Sequence, residues 1–386
     1  MRLVLALSLL TTPAFAQTCG GPLPDFLDGI RTEAASLGLE ASATERILRG
    51  AAIDLAVLQA DRSQSVFQKD FITFSRALIS QNRISNGRIY GNRFNSTFDT
   101  IEAKFGIPRE VILAFWAFET DFGQVQGNFN TRDALVTLAH DCRRPELFRP
   151  QLLAAIELTA RGGLDPAKTT GAWAGEIGQV QMLPKDIIEN GMDGDGDGIV
   201  DLKRSSPDAL MSGANVLSSL GWRANEPWLQ EINVPTDLDW MQTGLNTRKS
   251  GADWAALGVT ARGGSIASNL DAAVLLPMGR NGPAFLAYAN FDVYFEWNKS
   301  FVYVITAAYF ATQLSGASVY NEGTPTAALT KPQMQSLQKK LSERRHDVGG
   351  IDGILGAMTR AAIQAEQTRL GFPADAWPTT ALLNAL

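Results

Sequence analysis

Apolar positions recur at helical spacing through most of residues 25–160 of this 386-residue chain. The pattern predicts helical segments at Phe26–Ile30, Ala43–Leu55, Phe67–Leu78, Phe94–Phe105 and Phe148–Leu158. One further stretch, Val111-Ile-Leu-Ala-Phe-Trp-Ala-Phe118, leaves its helix almost no polar face and predicts burial. Pro108 suits the first turn of that helix and Gly123 its termination. Residues 163–206 are rich in Gly and Asp and predict mainly loop around short helices. Ser206-Pro-Asp208 then opens a helix, with Ser206 as N-cap and Pro207 in the first helical position. Ala272–Met278 and Phe285–Tyr288 flank Gly279-Arg-Asn-Gly-Pro283, which predicts a small β-hairpin in otherwise helical surroundings. Residues 301–314 read as another buried helix.

The chain divides near its end. Asn321–Pro332 is a Pro/Thr-rich connector, and residues 333–386 form a unit at the small end for an independent core. Within it Met334, Leu337 and Leu341 share one helical face, a Gly-rich turn spans 348–356, and helices are predicted at Ala357–Leu370 and Thr379–Leu386. The predicted organisation is a leader at 1–16, a main domain at 17–320, a linker at 321–332 and a small C-terminal domain at 333–386.

The leader rests on Arg2, the apolar run Leu3–Leu10 and the Ala14-Phe-Ala16 cleavage pattern. That run is too short to span a bilayer, so the mature protein is expected to be exported, soluble and periplasmic, without stable membrane insertion. With 34 basic and 40 acidic residues and no dense basic block, the sequence argues against nucleic acid as a partner. Two cysteines and two histidines argue against a zinc site and against histidine-dependent nucleophilic catalysis. In an oxidising compartment Cys19 and Cys142 can pair and tie the mature N-terminus to the domain body; two free thiols are the alternative.

Two segments carry candidate chemistry. Glu119 closes the apolar helix, where it loses hydration and faces the negative end of the helix dipole. Both effects favour the protonated form that a general acid needs near neutral pH; a glutamate that simply emerges into solvent is the alternative. Gly171-Ala-Trp-Ala-Gly-Glu-Ile-Gly-Gln-Val-Gln181-Met-Leu-Pro184 is the second segment. Its glycines let the backbone pass close to another surface, Gln181 offers a donor and an acceptor, and Trp173 can stack on a sugar face. A glycine-rich packing loop is the other reading.

Glu119-Thr-Asp-Phe-Gly123, Trp173–Pro184, Asn290-Phe291 and Trp297-Asn-Lys-Ser300 occur in an order and at separations that resemble the membrane-bound type B family of lytic murein transglycosylases, here in unlipidated form. The resemblance covers roughly residues 25–320. It implies a mainly α, lysozyme-like catalytic domain with a small β-hairpin, acting as a monomer on peptidoglycan glycan strands. It also implies Glu119 as single acid/base, Gln181 as amino-sugar ligand, Asn298 and Tyr303 as cleft residues, and Arg143 and Arg144 as a basic pair for substrate carboxylates. Three positions depart from the family pattern. Ala172 replaces a frequent serine near the catalytic carboxylate, Trp297 replaces a frequent tyrosine at the loss of a hydroxyl, and Phe122 replaces a tyrosine or tryptophan.

Most glycoside hydrolases use two carboxylates, whereas here Asp121 is only a weak second candidate. In the resembling family the muramyl C6 hydroxyl is the nucleophile and the product carries a 1,6-anhydromuramyl end. No cofactor is consumed. A hydrolytic muramidase and a catalytically silent glycan-binding scaffold are the competing readings.

Asp193, Asp195 and Asp197 stand at positions 1, 3 and 5 of an EF-hand-like loop, Gly198 makes the turn, and Ile199 offers its carbonyl. Arg204 occupies the place of the bidentate glutamate, and the resemblance implies Asp208 as the last carboxylate around a structural calcium ion. A solvated acidic turn is the alternative. Residues 333–386 resemble a peptidoglycan-binding three-helix bundle with Glu366 where an aromatic is usual. Because every candidate catalytic residue precedes Asn321, removal of 321–386 is expected to spare chemistry on short glycans.

Overall fold

The computed structural model describes residues 19–63 and 69–386, and the leader read at 1–16 lies outside them. The first part of the chain is built of α1 (Leu23–Ser36), α2 (Ala41–Leu48), α3 (Leu55–Arg62), α4 (Phe71–Leu78), α5 (Gln81–Arg93) and α6 (Asn95–Phe105). Then come α7 (Arg109–Thr120), α8 (Thr131–His140), α9 (Pro145–Ala160), α10 (Pro184–Asn190) and α11 (Ser206–Ser219), with β1 (Phe129–Asn130) and β2 (Thr170–Gly171) paired antiparallel among them. β3 (Leu229–Asn233), β4 (Lys249–Ser250), α12 (Gly251–Ala256), β5 (Thr260–Ala261), β6 (Asp271–Leu275) and β7 (Ala284–Tyr288) follow. α13 (Ala289–Trp297) and α14 (Phe301–Leu314) complete the main body, and α15 (Lys331–Glu343), α16 (Ala357–Leu370) and α17 (Thr380–Ala385) end the chain.

The helix expected over Ala43–Leu55 is two helices. Residues 49–54 cross α8 instead, which supplies their hydrogen bonds: Arg132 donates to the Arg49 carbonyl, Asp133 accepts from Ala52 N–H, and Thr137 accepts from Asp54 N–H. The Asp54 side chain then caps α3. The helix expected from Phe67 begins at Phe71, capped by Asp70, and its expected first residues fall outside the described segment. Ser205, rather than Ser206, caps α11.

α7 is the central helix. Every residue from Val111 to Ala117 is buried, and the helix packs against α14, α5 and α11. Its end is not made by Gly123 alone. Asp121 (φ 51°) and Phe122 (φ 61°) already adopt left-handed backbone, and Gly123 (φ 84°) completes the reversal. Two successive non-glycine residues in this region need support from their surroundings. Phe122 is buried against Tyr90 and Trp116, Arg83 holds Asp121 at 3.0 Å, and Thr120 Oγ1 accepts from Gly123 N–H at 2.8 Å.

The expected hairpin, β6–β7, is the centre of a five-stranded antiparallel sheet in the order β4-β6-β7-β3-β5. Its continuous apolar pattern has a cause in the alternation of side chains across a strand. Ala273, Leu275, Phe285 and Ala287 join the main core, while Ala272, Val274, Leu286 and Tyr288 close a second core over Trp254. The Cys19–Cys142 disulfide joins the segment before α1 to the turn after α8, with Cα atoms 5.1 Å apart.

α15, α16 and α17 enclose a small core of Met334, Leu337, Leu341, Ile363 and Leu382. Where an aromatic is usual, the buried Glu366 meets His346 and the partly exposed Arg369, each at 2.7 Å. This unit is docked on the main body. Arg360 donates to the Pro277 carbonyl at 2.8 Å and lies 4.4 Å over the Phe301 ring, and Gln364 donates to the Trp240 and Thr243 carbonyls at 3.0 Å. Trp377 belongs to the main core, and its indole N–H holds the connector at the Thr326 carbonyl. Burial lowers the Arg360 guanidinium to about 9. No described helix is long and apolar enough to cross a membrane.

Candidate active site

The last turn of α7 delivers Glu119 to a point where α13 and α14 meet. Trp297, the last residue of α13, donates its indole N–H to Glu119 Oε1 at 3.0 Å. Tyr303, in the first turn of α14, donates its hydroxyl to the same oxygen at 2.6 Å. Oε2 has no hydrogen-bond partner among the described residues. Burial pushes the Glu119 carboxyl up, while the bonds from Tyr303 and Trp297 pull against it. Tyr303 itself is held well above the ordinary phenol range by burial and the Glu119 charge, so it stays a donor throughout the working pH range. The hydroxyl that Trp297 lacks is therefore made up by its indole N–H.

This arrangement fixes the sign of a prediction. Tyr303→Phe removes a donor that favours the carboxylate, so the Glu119 titration should rise above its native value. In a pH–rate profile the limb assigned to Glu119 should move to higher pH, and Trp297→Phe should move it the same way by less. A limb that stays in place or moves down in Tyr303→Phe would refute this account.

The turn after α7 and the loop after β2 hold each other. Thr120 Oγ1 donates to the Gln179 carbonyl at 2.5 Å, and the Gln179 side-chain oxygen accepts from Trp116 Nε1 at 3.2 Å and Ser206 Oγ at 3.0 Å. A Cβ at Gly123 would lie 2.6 Å from that oxygen, so the approach requires glycine. Gln179 lies within the Gly171–Pro184 segment, and its burial is what makes it an organiser.

A cavity of about 860 Å³ opens beside this centre, lined by Trp173, Glu176, Arg144, Trp297 and Asn298 from the main body, and by Met334 and Arg360 from the C-terminal unit. Glu119 is not on the wall itself; it bonds Trp297, which is. Of the residues singled out in the sequence, Trp173, Trp297, Asn298 and Arg144 thus share one cavity, and Tyr303 reaches the centre through Glu119. Gln181 lies off the wall at φ 52°, its amide N–H group donating to the Gly178 carbonyl at 2.7 Å. Arg143 and Arg144 both bond the buried Asp61, a partner the sequence did not suggest. Asp121, the weak second carboxylate, is paired with Arg83.

Sequence reasoning passed over Glu176. Burial, with the Glu119 charge adding to it, raises this carboxyl to about 7 against the pull of backbone N–H groups and Arg144.

In the acidic loop, carboxylate oxygens of Asp193, Asp195 and Asp197 lie within 4.8 Å of one another, all exposed, a hard-oxygen set that suits a calcium ion. Three backbone N–H groups, those of Gly196, Asp197 and Gly198, point at Asp193 and hold it below the usual carboxylate range. Ile199 is exposed beside them. Asp208 does not join the cluster. It is buried, and its two oxygens accept from Gly194 N–H at 2.8 Å and Asp201 N–H at 2.7 Å, closing the loop from beneath.

Residues 23–312 match the transglycosylase SLT domain family, and residues 330–386 match a peptidoglycan binding domain family. The structure is similar to SltB3 from Pseudomonas aeruginosa in complex with NAG-anhNAM-pentapeptide, at 34% identity and a TM-score of 0.86 over 95% of this chain and 99% of that one. It also resembles the Escherichia coli lytic transglycosylase Slt35 in complex with calcium, at 23% identity and a TM-score of 0.64 over 79% and 98% of the two chains, a likeness of fold alone. In sequence, 191 residues are 27% identical to the membrane-bound lytic murein transglycosylase B of Escherichia coli K12. That match takes in 49% of this chain and spans about half, 52%, of the curated relative. The family model spans most of the chain and the likeness to SltB3 runs over nearly all of it: the chain belongs to the transglycosylase SLT domain family.

Proposed function

We propose that the protein is a periplasmic lytic transglycosylase that cleaves the MurNAc–GlcNAc β-1,4 bond of peptidoglycan, with Glu119 as its single acid/base. The observation that carries this reading is the one-sided bonding of Glu119. Both donors meet Oε1, so the opposite oxygen is left for a proton and a glycosidic oxygen. Membership of the SLT family and the likeness to SltB3, a relative seen with NAG-NAM-pentapeptide, support glycan strands as substrate.

The steps follow from one carboxyl that changes role. Protonated Glu119 gives its proton to the glycosidic oxygen as the C1–O bond breaks. The substrate's N-acetyl group and the ionised Glu119 balance the positive charge at C1. The muramyl C6 hydroxyl then attacks C1 and returns its proton to Glu119, which regenerates the acid. No water and no cofactor is consumed. Tyr303 and Trp297 stabilise the carboxylate between the two steps, because their bonds are strongest to the charged form. Asp121, paired with Arg83, is not free to act as a second nucleophile. Mass spectrometry of the products from purified peptidoglycan tests the reading. Anhydromuramyl ends should dominate, and a dominance of reducing ends would favour the hydrolytic muramidase.

The Asp193–Asp195–Asp197 cluster, with the Ile199 carbonyl, is the proposed site of a structural calcium ion. A ligand bound only by the folded state stabilises it by about 2.7 kcal/mol at a hundredfold excess over Kd. Calcium should therefore raise the thermal midpoint over that in chelator, and Asp195→Ala should remove the increment. Equal midpoints in calcium and in chelator would return the loop to a solvated turn.

A further inference from the structure

Glu176 has no part in the chemistry above, yet it shares the cavity wall with Trp173, Arg144 and Asn298. Its backbone is tightly fixed. The Glu176 carbonyl accepts from Ala172 N–H at 3.0 Å, and a Cβ at Gly171 would lie 1.9 Å from that oxygen. Gly175 (φ 88°) presses on Leu135, where a Cβ would approach within 2.4 Å. A side chain on so constrained a backbone has few directions open to it.

Its Oε2 is sealed from solvent and has no hydrogen-bond partner. Lost hydration disfavours the charged form, and the charged groups facing it, Glu119 at the end of α7 and Arg144 at the start of α9, act in opposite senses. With a value of about 7, much of this group is a carboxylic acid at neutral pH, which gains an O–H donor that the carboxylate lacks. An anionic ligand group would be better met by Arg144, and an ammonium group would drive the acid to ionise. The matching class is an uncharged, strong acceptor.

We infer that Glu176 donates a hydrogen bond to the acetamido carbonyl of an N-acetylhexosamine unit stacked on Trp173. The inference rests on the glycan substrate of the proposed function. It gives the cleft a second carboxyl whose work is binding, distinct from proton transfer at Glu119.

The test uses the full chain carrying Glu119→Gln, so that bound glycan is not cleaved, and titrates it with tetra-N-acetylchitotetraose by calorimetry. In that background burial, the backbone N–H groups of Glu176 and Ala174, and Arg144 set the Glu176 titration. Adding Glu176→Met should weaken Kd on the order of tenfold, while Glu176→Gln, which keeps an N–H donor, should stay within about threefold. Affinity of the Glu176 protein should fall as pH rises through the Glu176 titration, which loses the upward push of the Glu119 charge in this background, and the Glu176→Gln protein should show no such fall. Equal affinity with and without Glu176→Met would overturn the inference, as would equal losses in the Met and Gln variants with parallel pH profiles. If the parent does not bind the tetramer, the glycan reading falls and this inference with it. If the parent binds and only the Glu176 substitutions are silent, the glycan reading stands and the role of Glu176 alone is lost.

Discussion

Glu119→Gln should leave the protein folded and remove glycan cleavage. Glutamine keeps an oxygen that accepts from Tyr303 and Trp297, so the packing around the end of α7 has no reason to change. It cannot give up a proton. Loss of general acid catalysis alone lowers the rate by on the order of 10² to 10⁴, and the same side chain also serves as the base. No neighbouring group can take over. Asp121 is engaged with Arg83, and Glu176 has no bond to Glu119 through which a proton could pass. Release of soluble fragments from peptidoglycan, with the thermal midpoint as a fold control, is the measurement. Near-normal turnover by a folded Glu119→Gln protein would sink the assignment.

What was legible in the sequence was local. The burial of α7 and the raised titration of Glu119 follow from one apolar run ending in a carboxylate, and the structure shows both. The clustering of Trp173, Asn298 and Trp297 came from a family resemblance, and the structure places them on one cavity. What stayed hidden depended on partners far away in the chain. Tyr303 read as a cleft residue, whereas it bonds Glu119 across 184 positions. The basic pair reads as substrate ligands, and the sequence gives no sign that Asp61, 82 and 83 positions earlier, bonds both guanidinium groups while Arg144 also lines the cavity. Asp208 is a calcium ligand only by what the family resemblance implies, and a resemblance does not show which way a side chain turns; here it is buried and turned onto the loop backbone. Glu176 was invisible because a glutamate in a glycine-rich loop is ordinarily solvated, and only the enclosure of Oε2 marks it.

Trp377→Ala should destabilise the whole chain, not the C-terminal unit alone. A separate bead on a linker would melt independently, and the sequence suggested that kind of independence. In the structure Trp377 is 3% exposed and packs in the main core rather than in the small core of α15, α16 and α17. Its neighbours come from both sides. Gly279 lies so close that an added Cβ would sit 2.7 Å from the Trp377 Cβ, Thr326 accepts the indole N–H, and Arg360 stands 5.9 Å from its ring. Truncating a buried tryptophan to alanine costs about 3–5 kcal/mol, and here that loss falls on a core that also contains Phe301, at the start of the helix carrying Tyr303. Calorimetry should therefore show the transition of the main body shifted to lower temperature, and deletion of 321–386 should shift it further by also uncovering Phe301. Turnover of short soluble glycans should fall with it, against the sparing expected from residue order alone, because the Tyr303–Glu119 bond depends on the seating of α14. Two separate transitions, with that of the main body at its native midpoint in Trp377→Ala, would show instead that the C-terminal unit rests on the enzyme without supporting it.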